Sequence, residues 1–123
     1  MNSTFTKLTR LILGIILVFF GLNKFFDFIV LTLSHNAKVF IQSLGDTGYL
    51  MQIVGVFEIF IGLMLLFKKW VPFALLMLVP ISVNILLFHL FLDLPGIIGA
   101  LIVSLINGIL IYKYWSSYKV LFT

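Results

Sequence analysis

Four apolar segments alternate with shorter polar connections along the chain. We predict membrane-spanning helices over residues 8–31, 49–67, 71–92 and 97–114. Each has a length suited to a hydrocarbon core about 30 Å thick, for which a helix needs roughly 17–25 residues. Residues 32–48 form the only long polar connection, and we expect an outer loop there with a short amphipathic helix over 36–44. The pattern predicts an all-α fold, an integral membrane four-helix bundle in a single domain over residues 1–123.

The third segment carries polar residues inside an apolar run. Residues 72–96 have no formal charge until Asp93, yet they contain Pro80, Ser82, Asn84 and His89. Lipid offers no hydrogen-bond partners, so polar groups in a spanning helix are expected to serve helix packing or function. Pro80 is expected to kink the helix. At helical spacing Ser82, His89 and Asp93 share one face, and Asn84 lies away from it.

Polar residues occur at similar depth in the other segments. Glu58 lies at the centre of the second segment, with Gly55 and Gly62 on its face. A carboxylate at the bilayer centre costs at least ~2.5 kcal/mol unless it is protonated or paired, so we expect Glu58 to face protein. The fourth segment places Asn107 at a depth of about 16 Å. The first segment has small and basic residues on one stripe: Arg10, Gly14, Gly21 and Lys24. Such glycines allow a neighbouring helix to approach closely.

Composition and charge support a membrane location. Hydrophobic residues make up 63% of the chain and charged residues 10%, whereas soluble domains have about 45–50% and about 25%. The mean hydropathy is +1.26. Basic residues mark the ends of the apolar segments rather than forming a solvated patch, so no nucleic-acid partner is expected. On one side of the predicted bundle they have no acidic neighbours: Lys7, Arg10, Lys68, Lys69, Lys113 and Lys119. The other side holds Lys24 and Lys38 with three aspartates, and this asymmetry predicts that both termini are cytoplasmic.

The sequence offers little for catalysis. It contains no cysteine, which excludes disulfides, thiolate nucleophiles and cysteine-ligated iron–sulfur clusters. A haem with two axial histidines would need a second histidine on a facing span, and only His89 is suitably placed. Histidine and acidic residues do not recur at metal-ligand spacing, and we find no glycine-rich phosphate loop or Ser/His/Asp arrangement. We therefore do not expect an enzyme that acts alone.

Five polar residues within the predicted spans are candidate site residues: Lys24, Glu58, Asn84, His89 and Asn107. They have two interpretations. In the first, they form interhelical hydrogen bonds and a Lys24–Glu58 pair that fix the packing of the bundle. In the second, they line a pocket open toward the outer leaflet that binds a small amphiphile such as a quinone or phenol. Lys24, Asn84 and His89 would then be donors and Glu58 a proton acceptor.

The polar and small residues resemble those of the DoxX and DoxX-like family of small bacterial membrane proteins. The resemblance is carried by RLILGIILVFFGLNKFF at 10–26, GVFEIFIGLMLL at 55–66 and PFALLMLVPISVNILLFHLFLD at 72–93. The positions that match the family pattern are Gly21, Lys24, Glu58, Pro80, Asn84 and His89. The resemblance implies four membrane helices in the bacterial cytoplasmic (inner) membrane. It also implies redox work, since members resemble subunits of a thiosulfate:quinone oxidoreductase or membrane parts of oxidative-stress complexes.

Three hypotheses for the function follow. The first is a non-catalytic or accessory subunit of a membrane redox system, which holds a quinone or docks a redox partner subunit, or forms a homo-oligomer. The second is a structural or assembly factor whose polar residues only set helix packing. The third is a small proton-coupled transporter. The six-to-two distribution of basic residues argues against a transporter of dual topology. Sulfur chemistry by the chain's own thiols is excluded, because it has none.

Overall fold

The computed structural model describes residues 3–26 and 32–123, and these residues form helices and no strand. In chain order the helices are α1 (Thr4–Phe26), α2 (His35–Asp46), α3 (Leu50–Leu66), α4 (Val71–Leu92), α5 (Ile97–Lys113) and α6 (Trp115–Tyr118). Two 3₁₀ turns, Leu94–Gly96 and Lys119–Phe122, precede α5 and follow α6. The predicted all-α class is confirmed.

Among the described residues, three helical stretches are long and apolar enough to cross a membrane by themselves: Thr4–Phe26, Val71–Leu92 and Leu94–Lys113. A fourth crossing is formed if α2 and α3 count as one span, although their axes are bent by 91°. The 17 residues of α3 extend about 26 Å, slightly less than the hydrocarbon core. The structure is therefore an all-α membrane bundle in which α2 runs nearly perpendicular to α3.

The four longest apolar helices close into a ring. α1 packs on α3, α3 on α4, α4 on α5, and α5 returns to α1. The contacts of α1 with α3 and of α4 with α5 are the most extensive, so the bundle consists of two close pairs. Its core is made mainly of aliphatic side chains: Leu13, Leu17, Ile61, Leu65, Val71, Ala74, Leu75, Leu78 and Leu110, with Tyr114 and Tyr118 at one end.

Two pairs of glycines bring α1 and α3 together. Gly21 lies opposite Gly55, and a Cβ added to Gly21 would lie 2.8 Å from the Gly55 carbonyl oxygen. One heptad away, a Cβ on Gly62 would lie 2.8 Å from the carbonyl oxygen of Gly14. Real Cβ atoms do not approach backbone so closely, so only glycine permits this helix separation. The prediction that these glycines form a helix–helix contact is confirmed.

The first helix starts earlier than its predicted span. α1 begins at Thr4, whereas the span was predicted from residue 8. The reason is a local cap, because Ser3 Oγ accepts a hydrogen bond of 3.1 Å from the Thr6 N–H and so satisfies a first-turn donor. Residues 27–31, the predicted end of this span, lie outside the described residues.

The predicted outer loop contains a longer helix than expected. We predicted a short helix over 36–44, and the structure has twelve helical residues, His35–Asp46. Ser34 is its N-cap residue. The Ser34 N–H donates to Asp93 Oδ1 at 3.1 Å, and the Ser34 hydroxyl donates to the Leu92 carbonyl. The start of α2 is thus attached to the end of α4. This attachment stabilises the first turn of the amphipathic helix.

Candidate functional site

Lys24 and Glu58 form an ion pair between α1 and α3. The ammonium nitrogen lies 2.5 Å from Glu58 Oε1. The two side chains differ in accessibility, since Lys24 is 21% exposed and Glu58 only 3%. Gly55 belongs to the same contact, because a Cβ added there would lie 3.3 Å from Lys24 Cβ. Backbone contact at the glycines therefore allows a lysine on one helix to reach a carboxylate buried on the other.

The pair has unused hydrogen-bonding capacity. An ammonium group has three N–H donors, and the structure gives Lys24 one partner among the described residues, Glu58. The buried carboxylate needs a cation beside it, because a charge in apolar surroundings is costly unless it is paired. The Lys24 side chain is 21% exposed, so part of it lies at the surface of the bundle. Its remaining N–H groups are of the kind from which a carbonyl or hydroxyl oxygen can accept.

Asn107 belongs to a second polar group, between α4 and α5. Its Oδ1 accepts from the Ser82 hydroxyl at 3.1 Å, and its Nδ2 donates to the Leu75 carbonyl at 3.1 Å. Ser104 Oγ lies 3.5 Å from the Ser82 carbonyl oxygen, at the limit of a hydrogen bond. Both Asn107 and Ser82 are buried. This arrangement satisfies an amide inside the bundle and ties α5 to α4.

A groove runs along this second group. It has a volume of about 280 Å³ and is lined by apolar side chains of α4 and α5 together with Ser82, Ser104 and Asn107. Gly108 widens it, since a Cβ added there would meet no atom within 4 Å. The volume lies just below the range of about 300–1,000 Å³ that is usual for small-molecule sites. Neither Lys24 nor Glu58 lines the groove.

His89 lies at the end of α4, in a junction with α2. Its Nδ1 is 3.3 Å from Asp93 Oδ2 and 3.2 Å from the Asp93 carbonyl oxygen. The neighbouring Gly96 leaves the space for this contact, because a Cβ there would lie 2.6 Å from Asp93 Oδ2. Asp93 is buried, and its other carboxylate oxygen accepts from the Ser34 N–H. His89 therefore helps to hold a structural corner rather than the Lys24–Glu58 pair.

Asn84 lies on the outside of the bundle. Its side chain is exposed, and its Nδ2 donates to the Pro80 carbonyl of the same helix at 2.8 Å. The buried face of α4 contains Ser82 instead. The helical spacing of the sequence had placed the two residues on different faces, without indicating which face is buried. The amide of Asn84 is thus directed away from the other four candidate residues.

The five candidate residues do not form one pocket. The structure brings Lys24 and Glu58 together and places Asn107, His89 and Asn84 in three other environments. The sequence could not show this separation, because α4 is apolar on all sides and its sequence does not reveal which face is turned to protein. Lipid tails are as apolar as a leucine-rich core, and the usual contrast between core and solvent faces is lost. The structure therefore does not bring all these donors together around one site.

Two further polar residues have roles that the candidate set omitted. Arg10 is buried, and its Nη1 donates to the Leu65 carbonyl in the last turn of α3. There it satisfies a carbonyl that lacks an intrahelical partner and balances the negative end of the helix dipole. The signal in the sequence was its place on the glycine stripe of α1. Asp93 holds the α2–α4 junction, and its position in the turn before Pro95 gave no indication of Ser34 as its partner.

The described residues contain no group of three or more histidine and acidic side chains that could hold a metal ion.

The family model for DoxX matches residues 5–90, which cover the chain from α1 almost to the end of α4. The chain belongs to the DoxX family. No curated protein and no solved structure matches it. The matched region of this DoxX protein includes Lys24, Glu58, Asn84 and His89, whereas Asn107 lies beyond it.

Proposed function

We propose that this DoxX protein is a non-catalytic accessory subunit of a redox system in the bacterial cytoplasmic membrane, and that its Lys24–Glu58 pair binds a quinone-like amphiphile. One observation carries the proposal. The Lys24 ammonium is paired with a buried carboxylate, while the Lys24 side chain remains 21% exposed. The pair therefore combines a partly exposed lysine side chain with a carboxylate that the bundle shields from its surroundings.

The chemistry of the pair fits both redox forms of a quinone. A quinone carbonyl oxygen can accept from one of the ammonium donors that Glu58 leaves unused. A hydroquinone oxygen retains acceptor lone pairs, so it can take the same place beside the ammonium. The apolar tail of such a molecule would remain in lipid beside α1 and α3, whose outer faces expose Phe25 and Phe57. The chain then contributes binding and orientation, while the electrons come from a redox partner subunit.

The basic residues support an orientation with both termini in the cytoplasm. Lys7, Lys68, Lys69, Lys113 and Lys119 lie near one end of the bundle, and Lys38 lies on α2 at the other. Positive charge is retained on the cytoplasmic side. Because the sequence lacks cysteine, single cysteines introduced at Ser3, Thr47 and Ser117 report on sidedness through a membrane-impermeant maleimide. Labelling of intact spheroplasts is expected at Thr47→Cys alone. Labelling at Ser3→Cys or Ser117→Cys would contradict the orientation.

Ligand binding is tested by thermal unfolding of the detergent-purified protein with a short-tailed menaquinone or ubiquinone analogue. A ligand that binds only the native state raises the midpoint as its concentration increases. We expect this rise in the wild type and its loss in Lys24→Met and in Glu58→Gln. Each variant is compared with its own midpoint without ligand, so that a change in packing does not mimic a change in binding.

Matched controls lie on α2. Lys38→Met and Asp46→Asn remove the same charges at exposed positions, and both should retain the ligand-dependent rise. An equal rise in all four variants would show that the analogue binds elsewhere. If no protein responds to the analogue while Lys24→Met and Glu58→Gln still lower the midpoint, the pair sets helix packing only, and the structural hypothesis replaces this one.

A further inference from the structure

Asn84 places an amide on the lipid-facing side of α4. The exposed residues of this side run along most of the helix: Phe73, Leu76, Pro80, Asn84, Leu87 and Phe91. We refer to them as the α4 outer stripe. From Phe73 to Phe91 the stripe extends about 27 Å, nearly the thickness of the hydrocarbon core. Asn84 is its one polar side chain, and it lies well inside the apolar segment.

The amide of Asn84 has hydrogen-bonding groups that its own helix does not use. One N–H donates to the Pro80 carbonyl at 2.8 Å. A side-chain amide also has a second N–H and a carbonyl oxygen with two lone pairs. The structure provides no other bond to Asn84 within residues 3–26 and 32–123. Lipid cannot supply one, and polar side chains at such depth hydrogen-bond across helices where a neighbour is present.

A second copy of the chain would supply the missing hydrogen-bond partners. Copies inserted with the same topology are related by a two-fold axis along the membrane normal, so their α4 helices run parallel and Asn84 meets Asn84 at the same depth. After its bond to Pro80, the Asn84 amide retains one N–H donor and its carbonyl oxygen. Two such amides can exchange reciprocal N–H···O bonds. The stripe contains no charge, so it offers nothing that would select a charged partner.

The spacing along the stripe suits a helix pair. Pro80, Asn84, Leu87 and Phe91 are separated by four, three and four residues. This alternation is the seam of two helices that cross at a small left-handed angle, the commonest arrangement in membrane bundles. A single polar residue in such a seam fixes the register of the pair, as a buried asparagine does in coiled coils.

We propose that two copies of this protein associate through the α4 outer stripe, with Asn84 hydrogen-bonded to its equivalent across the two-fold axis. This interface is separate from the Lys24–Glu58 pair, which lies between α1 and α3. Loss of the dimer and loss of ligand binding are therefore independent outcomes. Asn84→Leu should weaken the dimer and leave the ligand-dependent rise in unfolding midpoint unchanged.

The test is cysteine cross-linking in native membranes, which the cysteine-free sequence makes straightforward. Single cysteines at Asn84, Leu87 and Phe91 should form disulfide-linked dimers under mild oxidation. Matched controls are Val83→Cys, exposed on the groove side of α4, and Leu105→Cys, exposed on α5. These two should give little dimer. Preferential cross-linking of the controls, or no cross-linking at all, would overturn the proposed interface.

A second measurement covers the hydrogen bond itself. The dissociation constant of the dimer in detergent micelles, measured by sedimentation or energy transfer, should rise by about threefold to about tenfold in Asn84→Leu. Asn84→Gln retains the amide and should largely preserve the dimer. Since Asn84 bonds only to its own helix, both variants are expected to fold, which the unfolding midpoint confirms. An unchanged dissociation constant in Asn84→Leu, or a protein that is monomeric throughout, would contradict the proposal. Association with a different protein through the same stripe would do so as well.

Discussion

The ammonium of Lys24 lies 2.5 Å from Oε1 of Glu58, beside the place where Gly21 and Gly55 bring the backbones of α1 and α3 into contact. The two features depend on each other. Without side chains at the glycines the helices approach closely enough for the lysine to reach the carboxylate. Without the lysine, the close approach would bury an uncompensated charge. This relationship gives α1 and α3 both a packing motif and a polar site.

The glycine contact should not tolerate a side chain. In Gly21→Val the new Cβ would lie 2.7 Å from the Ile59 side chain and 2.8 Å from the Gly55 carbonyl oxygen. The new side chain can be accommodated only if the backbones of α1 and α3 move apart. We therefore expect the free energy of unfolding to fall by about 1–3 kcal/mol. Gly108→Ala is the matched control, because its Cβ would meet no atom within 4 Å. Thermal or denaturant unfolding in detergent should show a loss only in Gly21→Val, and equal losses would contradict the close contact.

The two members of the ion pair should not be equivalent. Lys24→Met leaves a carboxylate that is only 3% exposed without its cation, whereas Glu58→Gln leaves an ammonium that is 21% exposed. Breaking a fully buried pair costs about 3–5 kcal/mol. We therefore expect Lys24→Met to lower the free energy of unfolding more than Glu58→Gln does. The double variant should lose less than the sum of the two. Strict additivity in this double-mutant cycle would show that the pair has no energetic coupling.

The corner between α2 and α4 should depend on Asp93. Its Oδ1 accepts the Ser34 N–H at 3.1 Å, and its Oδ2 lies 3.3 Å from His89 Nδ1. Asp93→Leu removes the carboxylate that accepts this bond, and a hydrogen bond to a carboxylate contributes about 1.5–3 kcal/mol. Amide exchange in the first turn of α2 should therefore accelerate by about tenfold or more when measured by mass spectrometry. Asp46→Asn at the other end of α2 is the control, and unchanged protection in Asp93→Leu would contradict the attachment.

Tyr118 attaches the C-terminal segment to the bundle. Its hydroxyl donates to the Pro72 carbonyl at 2.6 Å. Burial, with a smaller contribution from Tyr114, raises the pKa of Tyr118 to about 12 from its ordinary value of 10. Below pH 10 the phenol is protonated in both the folded and the unfolded chain, and its contribution to stability is fully present. Between pH 10 and about 12 the unfolded chain loses the proton first, so stability should fall as the pH rises.

The measurement for Tyr118 is the unfolding midpoint as a function of alkaline pH. The decline between pH 10 and about 12 should be weaker in Tyr118→Phe, which cannot ionise. Tyr112→Phe is the control, because Tyr112 is exposed. A decline of equal size in the wild type and in Tyr118→Phe would show that another group is responsible.

The packing of α1 on α3 could be predicted from residues whose exposure to lipid is energetically unfavourable. Glu58 between Gly55 and Gly62 indicated a face turned to protein, and the structure places α1 there with Lys24 as the cation. The stripe of Gly14, Gly21 and Lys24 indicated the complementary face, because glycine and charge are both unusual against lipid.

The placement of the α4 residues could not be predicted in the same way. Ser82 and Asn84 are two residues apart, and the structure buries one and exposes the other. Both faces of α4 are otherwise apolar, so hydrophobicity cannot decide between them. The helical content of 35–46 was underestimated for a different reason. Its attachment depends on a contact of Ser34 with Asp93, and such a long-range partner leaves no periodic signal in the sequence.

Binding of a quinone-like molecule at the Lys24–Glu58 pair is tested by photoaffinity labelling with an azidoquinone. The probe is cross-linked to the protein in membranes, and the modified peptides are identified by mass spectrometry. We expect label on α1 near Lys24 or on α3 near Glu58. Unlabelled quinone should reduce this labelling, and it should be lost in Glu58→Gln but retained in Asp46→Asn. Specific, competed label in the groove between α4 and α5, or label that unlabelled quinone does not reduce, would contradict binding at this pair.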